Sequence, residues 1–194
     1  MATLDDVVTV QKNGVIALNN VNQTLANLIK NRAGVYRSLT VTSRTQVASG
    51  KGILIAYTVV VTGTTAGLIY DSITPPTTSL STASGTATVG FVPPYTIAVG
   101  DTIIVSGTTS TGSSYNTTGS TVTAVQANSV SYTSAGSGTQ TVAGIVFDPN
   151  PANVIVATTA TQVVGTVSVA APFTTGLVIV PGTGQSINVI YSTF

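Results

Sequence analysis

Ile53-Leu54-Ile55-Ala56-Tyr57-Thr58-Val59-Val60-Val61 decides the fold class. β-Branched and aromatic residues dominate it, it is too short for a buried helix, and its near-continuous apolarity predicts a central strand covered on both faces. Outward from this run, segments rich in Val, Ile, Thr and Tyr alternate with Gly, Ser, Pro and Asn at spacings of roughly 8–12 residues. The strands this predicts are 39–47, 52–62, 66–71, 153–158, 163–170, 176–180 and 186–192. The expected fold is therefore all-β: an antiparallel β-sandwich of jelly-roll or Ig-like type, built from 38–72 together with 148–194.

Residues 73–147 read differently. They hold no basic residue, they are rich in Ser, Thr and Gly, and they open with Thr74-Pro75-Pro76 and are followed by Asp148-Pro149-Asn150-Pro151. Paired prolines disfavour helix and mark the places where a chain leaves one unit for another. The segment carries its own predicted strands at 86–91, 102–106, 119–126, 129–133 and 140–147, with Gly100-Asp101 as a turn and Ala127-Asn128 joining a hairpin. It reads as a small β domain inserted into the sandwich, with Tyr115-Asn116-Thr117-Thr118-Gly119 as an exposed loop.

The amino-terminal 1–37 form a third part, an anchoring or oligomerisation segment. Asn13-Gly14 between Val7-Val8-Thr9-Val10 and Val15-Ile16-Ala17-Leu18 predicts a short hairpin, since both turn residues must tolerate positive φ. A short helix follows over 20–31, where Val21, Leu25, Leu28 and Ile29 fall at i, i+4, i+7 and i+8 on one apolar stripe. Asn19 or Asn20 can cap it, Lys30 and Arg32 suit the negative end of its dipole, and Gly34 can end it. Three turns are marginal alone. The stripe is expected to pack on a sheet or on the same helix of sister subunits, so Val21, Leu25, Leu28, Ile29, Lys30, Arg32 and Arg37 are the candidate contacts with other copies or with a larger shell.

Composition excludes most catalytic chemistry. The 194 residues include no histidine and no cysteine, and the five acidic residues are all aspartate. Ser-His and Cys-His arrangements cannot be built, and Lys12, Lys30 and Lys51 lie outside the S-x-x-K context of a Ser-Lys dyad. Zinc lacks its ligands, calcium lacks a D-x-D-x-D-G loop, and no phosphate loop is present; Gly182-Thr183-Gly184-Gln185 joins two strands as a hairpin loop. Asp71, Asp101 and Asp148 each sit at a strand end beside Ser, Thr or Pro, where turn chemistry explains them. No catalytic residue, no metal and no cofactor is expected, and the chain is not expected to be an enzyme.

Charged residues are 6% of the chain, against about 25% in ordinary soluble domains. All six basic residues lie within 1–51, which carries a net charge of +4, while 52–194 carries −3. A neutral hydroxyl-rich surface repels its neighbours weakly and suits an assembly. Basic residues spread this thinly form no stripe for specific nucleic-acid binding. Met1-Ala2-Thr3-Leu4-Asp5-Asp6 has no secretory n-region, and no apolar run reaches the ~20 residues of a membrane helix, so neither export nor membrane insertion is expected. Among the aromatics, Tyr95 and Tyr115 in the inserted region are the candidate exposed ligand contacts, on the argument that amphipathic rings serve sugar binding.

Two phrases, Val7 to Leu25 (VVTVQKNGVIALNNVNQTL) and Phe173 to Ser192 (FTTGLVIVPGTGQSINVIYS), resemble small β-sandwich virion proteins of tailed bacteriophages, and Ile97 to Thr141 is similar to β modules inserted into phage structural proteins. The resemblance covers about two thirds of the chain. It implies a virion protein assembled in the host cytoplasm, most directly a capsid decoration or cement protein that binds the head shell and self-associates, as a homotrimer. Its implied partners are copies of itself and the major capsid protein or other virion proteins. The alternative it implies is a head fibre, neck or tail protein that binds a host surface glycan.

Overall fold

The computed structural model describes residues 3–33, 35–92, 96–161 and 164–194, with the backbone alone at Val7, 25–33, Val35 and Val164. In chain order the elements are α1 (Leu4–Ala33), β1 (Val35–Val41), β2 (Thr45–Ser49), β3 (Gly52–Val61), β4 (Leu68–Asp71), β5 (Thr77–Ala83), β6 (Thr86–Phe91), β7 (Thr102–Ser106) and β8 (Thr109–Ser110). They continue with β9 (Thr117–Gln126), β10 (Ser129–Thr133), β11 (Gln140–Val142), β12 (Ile145–Phe147), β13 (Val154–Ala157), β14 (Val164–Phe173), β15 (Gly176–Val180) and β16 (Ser186–Thr193). The fold is all-β, antiparallel and sandwich-like, as the spacing of the apolar runs predicts.

Two four-stranded sheets make the sandwich, ordered β1-β16-β3-β14 and β13-β4-β15-β2. Side chains alternate along each strand, so one face of each sheet turns inward. Leu54, Val59, Ile187, Val189 and Tyr191 from the first sheet meet Ile69, Leu177 and Ile179 from the second, most of them fully buried. β3 is central, flanked by β16 and β14. It is not covered on both faces, however: Ile53, Ile55 and Thr58 are half-buried, and Val60 and Val61 are 48% and 50% exposed. An antiparallel sheet of a two-layer sandwich has one wet face, and among the described residues no third layer covers this one.

The expected strand 39–47 is two strands, because the chain crosses from the first sheet to the second at 42–44. Likewise Gly182-Thr183-Gly184-Gln185 joins β15 to β16 across the core and is not a hairpin. Its turn is closed by Gln185 N–H to Gly182 O at 2.9 Å. β14 runs past 170 to Phe173 through a bulge between Ser168 and Ala171, with Ala170 at φ +53°. Such a bulge lets one strand carry an extra residue while its neighbours stay paired.

Among the described residues, the strand pairings of 76–147 are all internal to that segment. Six strands lie in the order β12-β7-β9-β10-β6-β5, beside the small β8–β11 pair. Their core holds Val89, Ile103, Val105, Val122, Val130 and Tyr132. The run expected over 140–147 is broken into β11 and β12, and β5 was not legible because Leu80 is its one large apolar residue. This unit meets the sandwich through Tyr70, Phe147 and Val178. The Tyr70 and Phe147 rings pack edge to face with centroids 5.3 Å apart, and the Arg44 guanidinium lies 5.2 Å from the Phe147 centroid while donating to Ser106 Oγ at 3.2 Å.

The amino terminus departs most from expectation. No hairpin forms over 7–18, and the helix is not confined to 20–31: α1 is one helix of 30 residues that runs straight through Asn13-Gly14. Thr3 and Asp6 make a reciprocal cap, with Asp6 N–H donating to Thr3 Oγ1 (3.3 Å) and Thr3 N–H to Asp6 Oδ2 (2.8 Å), which satisfies amides the first turn leaves free. A hairpin here would need a sheet to bury its apolar face, whereas continuing the helix costs only about 1 kcal/mol at Gly14. Thr9 and Thr24 donate to the carbonyls four residues earlier, at 2.8 Å each, so their hydroxyls are satisfied within the helix. The expected terminator Gly34 lies outside the described residues.

The two faces of the sandwich sheets make a direct test. Ile179→Ala is expected to cost about 2–5 kcal/mol, as for a fully enclosed aliphatic side chain, while Val60→Ala, on the wet face, stays within about 0.5 kcal/mol of the parent. Urea unfolding followed by far-UV circular dichroism measures both, and equal costs would contradict the assignment of inner and outer faces.

Candidate functional site

Two features stand out from the packed sheets: the helix, and a cleft where the two β units meet. Every described side chain of α1 is exposed, including Leu4 at 79%, Val15 at 59%, Leu18 at 64% and Val21 at 55%. Of the expected contact residues, Val21 is on this open helix, and Arg37 is exposed on the edge strand β1, opposite Tyr191. Leu25, Leu28, Ile29, Lys30 and Arg32 continue along α1, but their side chains lie outside the described ones. The helix therefore leaves an apolar surface with no cover from the described side chains of its own chain, and burial of such surface is the strongest drive toward association.

A cleft of about 790 Å³ gathers Asp71, Asp101 and Asp148 with Ser49, Asn150, Asn153 and Thr174. These are all three aspartates beyond the amino-terminal pair. Their convergence was not foreseen, although a signal existed: Asp71 and Asp148 flank the two ends of the inserted segment, and the ends of an insertion must lie close together. Two of the carboxylates have a structural task. Asp71 accepts from Thr174 N–H (2.8 Å), Thr174 Oγ1 (3.0 Å), Thr175 N–H (2.7 Å) and Gly176 N–H (3.2 Å), so it holds the turn between β14 and β15. Asp101 Oδ2 accepts from Ala98 N–H at 2.7 Å and Asp101 N–H donates back to Ala98 O at 3.2 Å, closing the turn before β7. This is the turn chemistry expected of Asp at strand ends.

The cleft sets two of these carboxyls apart. Burial pushes Asp71 up, but its four hydrogen bonds together outweigh that and hold it below the usual carboxylate range. Burial and the nearby Asp101 charge push Asp148 up to about 6, against the opposing pull of the Asn150 backbone N–H. A raised carboxyl can serve as a general acid. Here the neighbouring Asp71 is saturated by its turn and no imidazole or thiol exists in the chain, and among the described residues no group of three or more metal-ligating side chains could hold a metal ion.

The aromatic expectation needs correction at Tyr115, which is 1% exposed and belongs to the core of the inserted unit. Its Oη donates to Gly138 O (2.8 Å) and lies 2.8 Å from Thr82 Oγ1, and Tyr132 Oη donates to Tyr115 O at 2.7 Å. The loop around it is tied down as well, with Asn116 Oδ1 accepting from Thr108 N–H and Oγ1 at 3.0 and 2.8 Å. Gly136 lies against the Tyr115 ring, where a Cβ would come within 2.5 Å of Cδ1. Small flanking residues thus made a core anchor look like a displayed loop. Tyr95 lies outside the described residues.

Among the described residues no helix is long and apolar enough to cross a membrane. No family model, no curated protein and no solved structure matches this chain.

The two carboxyls carry opposite pH signatures. Because the folded-state value of Asp71 is depressed, its contribution is present above the unfolded carboxylate value and is lost as pH falls through the lowered one. Asp71→Asn is therefore expected to cost about 1–2 kcal/mol at pH 7, tempered by partial exposure, and the gap closes in acid. Asp148 is raised, so the folded state holds a proton the unfolded chain releases, and the wild type loses stability relative to Asp148→Asn as pH rises from about 4 through about 6. Urea midpoints of the three proteins from pH 3 to 8 check both, and curves that run parallel would remove the assigned causes.

Proposed function

We propose that this chain is a non-enzymatic structural component of a bacteriophage virion, most directly a capsid decoration or cement protein that binds the head shell and self-associates. The observation that carries this reading is α1, a 30-residue helix whose described side chains are all exposed, joined to β units that bury their own cores. Such a helix needs partners outside the chain. The absence of histidine, cysteine and glutamate supports a non-catalytic role, and the 6% charge content supports life within an assembly.

In this reading the helix, with the basic residues concentrated in 1–51, faces the shell or sister subunits, and the unit of 76–147 projects outward. The major capsid protein is the proposed heterologous partner. The glycan-binding alternative has lost Tyr115 as a platform, and the exposed aromatics among the described residues are Tyr36 and Phe194, both outside the inserted unit.

Purified virions of the encoding phage are expected to contain the chain in many copies per particle, by quantitative mass spectrometry, and particles grown from a variant lacking 1–33 are expected to lack it. Cryo-EM of the wild-type particle should place the amino terminus nearest the shell. Absence of the chain from purified particles would overturn the proposal, and an amino terminus farthest from the shell would overturn the orientation.

A further inference from the structure

Continuity of α1 exposes a pattern that a hairpin followed by a short helix would have hidden. Val8, Val15, Asn22 and Ile29 are spaced seven apart, and Leu4, Gln11, Leu18, Leu25 and Arg32 follow at the complementary spacing, giving a and d positions along the whole helix. Opposite this seam the f positions are Asp6, Asn13, Asn20 and Asn27, polar without exception. Six of these nine seam positions are apolar, interrupted by Gln11, Asn22 and Arg32, and a seven-residue repeat over four heptads favours the left-handed supercoil of helix on helix, since a straight helix would carry the apolar row off its partner.

The covering element must share this repeat, and the described part of the chain has no second long helix. We propose that α1 forms a parallel, in-register bundle of at least three copies of this chain, with Asn22 meeting Asn22 in one polar layer of the seam. This inference rests on the self-association part of the proposed function. Three observations carry the details. Of the four g positions, Val7, Gly14, Val21 and Leu28, three carry apolar side chains, and Val21 is exposed in the single chain. A two-stranded seam would leave that third row in water, which outweighs the two-stranded preference of β-branched a with Leu d residues. A closed ring of three copies is cyclic, so all helices point the same way. In-register alignment then pairs Asn22 and Gln11 with their own counterparts, so neither polar side chain faces an apolar layer.

The full-length chain, which contains no cysteine, makes the test clean. Light scattering during size exclusion should give a mass at least three times the 19.4 kDa chain. Val15→Asp with Leu18→Asp should give a monomer with the strand signal of the wild type in circular dichroism. Under oxidation, Val8→Cys at an a position should form a disulfide-linked pair on non-reducing gels, and Val10→Cys at the outward c position should not. Fully overlapped antiparallel helices would hold the two residues 8 about 30 Å apart at ~1.5 Å per residue. Asn22→Val should raise the melting temperature of the bundle and give mixed stoichiometry. A monomeric or dimeric wild type, no Val8→Cys cross-link, or equal cross-linking at both positions overturns the proposal. A bundle-forming chain missing from virions would sink the virion reading alone, whereas a monomer built into virions would sink this inference alone.

Discussion

The seam between the two four-stranded sheets is the constraint from which the rest of the molecule follows. Leu54, Val59, Ile69, Leu177, Ile179, Ile187 and Val189 are removed from water there, each worth about 1.5–3 kcal/mol of apolar transfer. Because side chains alternate with a period of two, a slip of one residue in β3, β15 or β16 would turn the whole set outward. Register is thereby fixed, and with it the edge of β1 from which α1 departs and the ends of β4 and β13 between which the inserted unit hangs.

Polar groups are placed so as not to weaken that seam. Gln185 is almost fully buried, yet its Oε1 accepts from Thr158 Oγ1 (3.1 Å) and Gly182 N–H (3.1 Å), and its Nε2 donates to Thr159 O (2.6 Å). Buried polar atoms cost little when satisfied in this way. Asp71 does the same for the turn between β14 and β15. Asp71 and Asp101 each brace a turn of their own unit, and the units themselves are joined by the Tyr70, Phe147 and Arg44 contacts. The joint is apolar at Tyr70, Phe147 and Val178 and carries the Arg44–Ser106 hydrogen bond beside them.

Against this frame, α1 belongs to a different energetic regime. The sheets bury their apolar faces within one chain, whereas the helix satisfies polar groups, its first-turn amides and the Thr9 and Thr24 hydroxyls, and leaves its described apolar side chains exposed. Its described apolar side chains are exposed, and 6% charged residues over the whole chain do little to keep such surfaces apart. The same poverty in ionisable groups that argues against catalysis argues for assembly, so the composition and the helix support one reading from independent directions.

Local pattern sufficed wherever a strand or turn is specified by its own residues. The runs at 52–61, 86–91, 102–106, 129–133 and 176–180, the Ala127-Asn128 hairpin and the Gly100-Asp101 turn were all legible, because period-two apolarity and turn chemistry act over a few residues, as does the exclusion of histidine- and cysteine-based catalysis. Pairing partners were not legible. The corner at 42–44, the sheet-to-sheet crossing at 182–185, the burial of Tyr115 and the gathering of Asp71, Asp101 and Asp148 depend on segments distant in sequence, whose energies appear only when the core closes. The helix shows the same division from the other side. Asn13-Gly14 favours a turn locally, but without a sheet to receive a hairpin the cooperative helix ladder and the Thr3–Asp6 cap prevail, and only the folded chain decided that the described side chains of this segment would stay exposed.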